Sequence, residues 1–119
     1  KHNKKVVNLA KLLLDHNVPV CVSKVNPFVE NREDARKILK NHNFIQVYIK
    51  CSLDSCEKRD VRGMYKKARV NEINNFIGIH VNYEPPMNPE LVVDTEKSPI
   101  DNSVQIILDY LNENKMIKI

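Results

Sequence analysis

Residues 59–69 bring together side chains whose types and spacing could bind anions. Four of the cations in this segment, Arg59, Lys66, Lys67 and Arg69, are the candidates for such a site. The whole chain carries 19 Lys and Arg against 15 Asp and Glu, and this net charge of +4 favours anionic partners such as nucleotides, nucleic acids or acidic lipids. The competing interpretation is a solvated helix face, which runs of charge commonly form. Composition alone does not choose between the two.

The glycine content excludes one kind of phosphate site within these residues. Only Gly63 and Gly78 occur in 119 residues, and neither begins a Gly-x-Gly or Gly-x-x-x-x-Gly-Lys run. A loop that wraps phosphates needs several residues without a Cβ, so that the backbone can approach the oxygens. We therefore expect no phosphate-binding loop inside this chain.

The cysteines do not form a convincing metal set. Cys51 and Cys56 are separated by four residues, and no nearby pair of histidines completes a zinc site. With Cys21 they make three, an odd number that does not fit a disulfide framework. We expect buried, reduced thiols, no metal site, and a cytoplasmic protein.

Two pairs of residues, one of two acids and one of an acid and a threonine, have both a chemical and a structural interpretation. Glu57 and Asp60 could transfer protons, although an ion pair with Arg59 or Arg62 is the interpretation we favour. Asp94-Thr95 ends an apolar run, and open α/β sheets bind ligands at the carboxyl ends of their strands. The same Asp could equally begin a turn.

These side chains must be positioned by alternating helices and strands. Strands are predicted at 18–25, 44–49 and 90–94 from short β-branched runs, with a long loop over 74–90. Helices are predicted at 4–16, 32–40, 52–59, 64–71 and from 98 onward. Asn31, Ser52 and Ser98 are expected as their caps, with Pro99 in the first helical position. This alternation predicts an α/β fold, with a parallel sheet between helices. No apolar run reaches 18 residues, so no membrane span is expected.

Several segments resemble adenylylsulfate kinase, and their sequence is similar to that of the kinase domain of bifunctional PAPS synthetases. The resemblance covers essentially the whole chain. It is specific over 56–95, because several different residue types recur there in the same order as in the family. The segments are Val22-Ser-Lys-Val-Asn-Pro-Phe28, Asn31-Arg-Glu-Asp-Ala-Arg36, Cys56-Glu-Lys-Arg-Asp-Val-Arg-Gly-Met-Tyr-Lys-Lys-Ala-Arg69, Tyr83-Glu84-x-Pro86 and Asn88-Pro-Glu-Leu-Val-Val-Asp-Thr95.

The resemblance implies a P-loop kinase fold that transfers the γ-phosphate of ATP to the 3′-hydroxyl of adenosine 5′-phosphosulfate (APS), making PAPS. In such a sheet the three predicted strands would be the third, fourth and fifth. The Walker A strand and the strand after it are not among these residues. We therefore expect residues 1–119 to be one partial kinase-like domain, inactive by itself, with a lid at about 59–86.

The resemblance also implies site residues, together with ATP and Mg²⁺, neither of which a motif inside this chain would hold. Phe76 falls on the lid phenylalanine that stacks on adenine, and Lys66 on a lysine that contacts substrate. The substrate-binding positions are Val25, Lys66, Phe76, Ile79 and His80. The ATP-binding and lid positions are Arg59, Lys67, Arg69, Thr95 and Asn102.

Departures from the family pattern leave a second function open. The serine that some members phosphorylate is replaced by Asn26, which has no hydroxyl, and the family's "ENIRR" reads Lys1-His-Asn-Lys-Lys5. His80 stands where the family has an acid, and we assign it no catalytic duty. The alternative is a non-catalytic regulatory domain that binds PAPS or APS beside an ATP sulfurylase.

Two kinds of partner follow from these interpretations. An ATP sulfurylase domain or a second copy of the chain is expected. A nucleic-acid partner is not, because the cations are dispersed and aromatic residues make up only 6%.

Overall fold

Five helices and two strands form the regular structure of residues 2–116, the part of the chain that the computed structural model describes. In chain order they are α1 (His2–Asp15), α2 (Val29–Ile38), β1 (Val47–Lys50), α3 (Leu53–Arg59), α4 (Met64–Arg69), β2 (Leu91–Asp94) and α5 (Ile100–Glu113). They belong to two compact units. One contains residues up to 44 together with 82–85, and the other contains 45–81 together with the residues from 86 onward.

The first unit is built by α1 and α2, which pack against each other. Ala10 on α1 and Ala35 on α2 are buried, and Leu39 directly after α2 is buried as well. Helix α1 ends where Asn17 adopts a left-handed φ of 62°. The N–H groups of Asn17 and Val18 then bond back to the carbonyls of the last turn, as in a Schellman motif.

The second unit contains a two-stranded parallel sheet. Val47 pairs with Leu91 and Lys50 with Asp94, so the two strands end at the same edge. Helices α3 and α4 lie in the connection between them, and α5 packs against β2. Val93 in the middle of β2 is fully buried. The prediction of an α/β fold with a parallel sheet and flanking helices is therefore confirmed, with strands shorter than the predicted 44–49 and 90–94.

The strand predicted at 18–25 is wrong, because no regular structure forms there. Val18, Val22 and Val25 are 43%, 53% and 61% exposed. A β-branched run becomes a strand only when a neighbouring strand completes its hydrogen bonds. Among residues 2–116 no strand pairs with this segment.

Two of the three predicted helix caps are also wrong. Ser52 does cap α3, since its Oγ accepts the Ser55 N–H at 3.2 Å. Asn31 lies inside α2, because the Glu84 carboxylate already accepts the Val29 N–H at 2.8 Å and lets the helix begin earlier.

At α5 the cap is displaced by one residue. Pro99 is the N-cap, not the first helical residue. The Ser98 N–H is used elsewhere, bonding to the Asp94 carbonyl at 3.1 Å to close the turn after β2.

The described helices are shorter than the thickness of a lipid bilayer requires of a spanning helix. The longest described helices, α1 and α5, have 14 residues each, against about 20 needed to cross the hydrocarbon core. No membrane-spanning helix occurs within residues 2–116.

Candidate functional site

Helix α4 carries three of the four predicted cationic residues, and one carboxylate holds its start. Asp60 accepts the backbone N–H of Tyr65 through Oδ1 at 2.9 Å and that of Lys66 through Oδ2 at 3.1 Å. An acidic group in this position satisfies N–H groups that a helix start leaves without partners. Asp60 therefore fixes the start of α4. Among the described residues, the ion pair with Arg59 or Arg62 that the sequence had suggested for Asp60 does not form.

The four predicted cations differ in what they contact. Arg69 forms a two-bond ion pair with Glu57 on α3. The guanidinium holds the pKa of the Glu57 carboxyl below its ordinary value. Lys66 and Lys67 are exposed, and within the described part of the chain their side chains make no ion pair. Two charges of the segment are thus available to an anion, and the Glu57 partner is Arg69 instead of the expected Arg59 or Arg62.

Arg59 and Thr95, two of the predicted ATP-binding positions, lie together at the carboxyl ends of the strands. Arg59 donates to Thr95 Oγ1 at 3.1 Å and to the Thr95 carbonyl at 2.9 Å. Thr95 in turn donates its hydroxyl and its N–H to the Lys50 carbonyl at the end of β1. The structure therefore brings this pair to the sheet edge where α/β proteins bind ligands.

Glu96 occupies the start of α3 beside this pair. Its carboxylate accepts the Ser52 hydroxyl at 2.7 Å, the Ser52 N–H at 3.3 Å, and the Ser55 hydroxyl. Hydrogen bonds from Ser55 and then Ser52 lower the pKa of Glu96. The polar groups of Ser52 and Ser55 at the start of α3 are thus already hydrogen-bonded to the Glu96 carboxylate.

The predicted aromatic residue packs on the same helix that carries the lysines. The ring of Phe76 meets that of Tyr65 edge-on, with centroids 4.8 Å apart and planes 79° apart. Gly78, at a φ of +97°, lets the loop turn back here. A Cβ at Gly78 would lie 3.1 Å from the Leu53 side chain, so the loop passes close to α3.

His80 closes the loop around Phe76. The backbone N–H of Phe76 donates to His80 Nδ1 at 3.0 Å, and the His80 N–H donates to the Phe76 carbonyl at 2.8 Å. His80 Nε2 lies 3.2 Å from Asn71 Oδ1. The Ile79 N–H also donates to the Phe76 carbonyl, at 3.2 Å. Three predicted substrate-binding residues thus belong to one small turn.

Tyr65 links this loop to the cysteines. Burial, followed by a hydrogen bond with Cys56, raises the pKa of Tyr65 to about 12. Burial, followed by a hydrogen bond with Cys51, raises the pKa of the Cys56 thiol. Cys51 and Cys56 are free thiols that are only half-buried, so the expectation that they are buried holds in part, and the free thiol of Cys21 is exposed. Across residues 2–116 no cluster of His, Cys, Asp or Glu is arranged to hold a metal ion.

Three predicted site residues lie apart from these contacts. Val25 and Asn26 belong to the first unit, where Asn26 Oδ1 accepts from the Asn3 amide at 3.3 Å. Asn102 is exposed in the first turn of α5. The sequence therefore grouped residues from both units. Within the second unit, Arg59 is bonded to Thr95, and Phe76 is bonded to Ile79 and His80.

Sequence reasoning missed Tyr65 and Glu96, and it underestimated His80. A signal for Tyr65 was present, because it directly precedes Lys66 at the start of a basic helix. Glu96 gave none, since its partners Ser52 and Ser55 are 41 to 44 residues away.

Comparison with known proteins assigns the family. The sequence model described as adenylylsulphate kinase matches residues 1–94. The adenylyl-sulfate kinase of Oceanobacillus iheyensis is 44% identical over 114 residues, which are 96% of this chain and 57% of that protein.

Two solved structures agree in fold. The crystal structure of APE1195 has a TM-score of 0.85 at 38% identity, over 94% of this chain and 64% of that one. The Mycobacterium tuberculosis APS kinase CysC, in complex with AMPPNP and APS, has a TM-score of 0.81 at 32% identity, over 92% of this chain and 64% of that one. The chain thus spans a little over half the length of the relatives it matches.

Proposed function

Because the chain belongs to the adenylylsulfate kinase family, we propose that it serves in the ATP-dependent 3′-phosphorylation of APS to PAPS. In this proposal residues 1–119 form part of one kinase domain, with a lid at about 59–86. The substrates are ATP and APS. Since the chain contains no phosphate-binding loop, the triphosphate would be gripped mainly by residues other than these.

One observation carries the proposal: the packing of Phe76 on Tyr65. Tyr65 directly precedes Lys66 and Lys67 on α4, so this contact ties the loop that carries the aromatic ring to the helix that carries two exposed lysines. A nucleotide that carries a sulfated phosphate offers a flat base and a cluster of negative oxygens. Aromatic stacking and cationic side chains are the two contacts that such a ligand needs.

The roles divide between the two substrates. We assign Lys66, Phe76, Ile79, His80 and Val25 to APS, and Arg59, Lys67, Arg69, Thr95 and Asn102 to ATP. Asn26 occupies a position where some relatives carry a phosphorylated serine, and it can accept no phosphate on a hydroxyl.

Phosphoryl transfer asks mainly for positioning and for neutralisation of charge on the phosphate oxygens. The lysines of the lid would neutralise this charge. Mg²⁺ belongs to the proposal through the family only. The described residues contain no carboxylate cluster that fits the ion.

We also propose a compartment and a partner for the enzyme. An odd count of three cysteines, all free, suits a reducing compartment, so we propose the cytoplasm. A sulfurylase domain or a second copy remains the proposed partner. The regulatory alternative is not favoured, because the relatives carry the name of the kinase itself.

The test is phosphate transfer by the intact protein. We expect ³²P from γ-labelled ATP to appear in PAPS with APS as acceptor, and not with AMP. Phe76→Leu should raise KM for APS about tenfold, while Phe76→Tyr, which keeps a stacking ring, should stay near the wild type. Absence of transfer above background would refute the proposal.

A further inference from the structure

The Phe76 turn is closed by the side chain of His80, to which the sequence alone assigns no catalytic duty. His80 stands where the family carries an acid. Its ring nevertheless bonds at both nitrogens, to the Phe76 N–H through Nδ1 and to Asn71 through Nε2. Such a bridge ties together the two ends of the loop that presents the aromatic ring.

The donor at Phe76 determines the state of the imidazole. A backbone N–H can only donate, so His80 Nδ1 must be an unprotonated acceptor. The neutral ring then carries its proton on Nε2, where it donates to Asn71 Oδ1 at 3.2 Å. Each ring nitrogen therefore has one defined role, and the two roles can be separated by substitution.

Among residues 2–116, the other hydrogen bonds of the Phe76 backbone are made by its carbonyl. That oxygen accepts from the N–H groups of Ile79, His80 and Val81 at 2.8 to 3.2 Å. The His80 ring supplies the partner for the remaining backbone group. With both groups engaged, the direction of the Cα–Cβ bond is set, and the ring is directed onto Tyr65.

We propose that His80 is a positioning residue for the nucleotide: its Nδ1 fixes the Phe76 backbone, so that the phenyl ring is presented for stacking on the base of APS. This inference rests on the proposed function, because it takes Phe76 as the base-stacking group. It assigns no chemistry to His80 itself. An aspartate at this position has no ring to span the same two partners.

Two isosteric substitutions separate the roles. The Oδ1 of His80→Asn reaches the position of Nδ1 and can accept the Phe76 N–H, but it stops short of Asn71. The amide of His80→Gln reaches the position of Nε2 and keeps Asn71, but it leaves the Phe76 N–H without its acceptor. His80 is exposed, so both variants should fold, and far-ultraviolet circular dichroism with thermal melting verifies this.

The experiment uses a tryptophan placed at the stacking position as the probe. These 119 residues contain no Trp, so Phe76→Trp introduces a fluorophore there, and the intact protein carrying it is titrated with APS beside the same protein without the substitution. We expect His80→Gln in this background to weaken APS binding roughly 3- to 10-fold, and His80→Asn to stay within about twofold. In the unsubstituted protein, the Phe76 amide should exchange with solvent more slowly than in His80→Gln.

The outcomes distinguish a failure of the positioning role of His80 from a failure of the proposed function. If APS quenches the tryptophan equally in all three backgrounds, the positioning role of His80 is overturned. The same holds if His80→Asn and His80→Gln weaken binding alike. If the protein with His80 intact shows no response to APS by fluorescence and no transfer in the labelled assay, the proposed function fails instead.

Discussion

Arg69 on α4 and Glu57 on α3 form a two-bond ion pair, in which Arg69 Nε donates to Glu57 Oε2 at 3.1 Å and Nη2 donates to Oε1. The pairing lowers the pKa of Glu57 and raises that of Arg69. In the proposed function Arg69 also meets ATP. One guanidinium therefore has two competing anions, the carboxylate and the triphosphate.

Glu57→Gln should release Arg69 and strengthen ATP binding. The amide removes the charge and keeps the shape, so we expect KM for ATP to fall roughly two- to fivefold, the scale of an exposed ion pair. Steady-state rates at saturating APS measure it. Asp54→Asn is the matched control, since it removes an equal charge from α3 without a bond to Arg69. An equal fall in that control would mean that general charge, and not release of Arg69, is responsible.

The two exposed lysines should separate the two substrates. Lys66→Met should raise KM for APS, and Lys67→Met should raise KM for ATP, each by about tenfold or more, because a charge-assisted hydrogen bond to phosphate is lost. Lys58→Met, on the last turn of α3, removes the same charge outside the proposed site. If Lys58→Met matches either variant, long-range attraction by net charge explains the effect.

Tyr65 should make the protein sensitive to alkali. Burial raises its pKa from 10 to about 12, so the native state keeps the phenolic proton where the unfolded chain has lost it. The stabilisation is complete below pH 10 and disappears as pH rises toward 12.

We therefore expect Tm of the wild type to fall more between pH 9 and about pH 11 than Tm of Tyr65→Phe. Differential scanning fluorimetry at matched ionic strength measures both. Tyr110→Phe is the control on another helix, and parallel curves for the wild type and Tyr65→Phe would contradict the assignment.

Glu96 should act in the opposite direction, in acid. Hydrogen bonds from Ser55 and Ser52 lower its pKa from the ordinary value of 4.5. A lowered native pKa gives stability that is present above pH 4.5 and lost as pH falls through the native value. Glu96→Gln should therefore lower Tm at pH 7 and change it little near pH 3.

The comparison needs a carboxylate outside this network. Glu72→Gln, an exposed residue after α4, should leave Tm unchanged at both values of pH. A Glu96→Gln deficit that is equal at pH 7 and pH 3 would indicate lost packing instead of a titrating carboxylate.

Local patterns in the sequence were enough for much of the second unit. Ser52 was recognisable as a cap because its acceptor serves an N–H three residues away. The basic helix over Met64–Arg69 and the parallel pairing of the strands ending at Lys50 and Asp94 follow from spacing and alternation. These features depend on neighbours within a few residues or on one repeated pattern.

The sequence could not predict contacts that depend on distant segments. The run at 18–25 has the composition of a strand, yet among the described residues it finds no partner for its hydrogen bonds. Asn31 has the chemistry of a cap, but the Glu84 carboxylate reaches the helix start first from 55 residues away. In both places local preference was overridden by what lies opposite.

The candidate site divides in the same way. Residue types alone indicated that 59–69 carries cations and that Phe76 is an aromatic residue in a loop. Only the tertiary structure decided that Arg69 is engaged by Glu57 while Lys66 and Lys67 are left to solvent, and that His80 bonds to the Phe76 backbone. The reason is physical: charge and ring are properties of one residue, whereas availability and direction are set by the groups that the fold places around it.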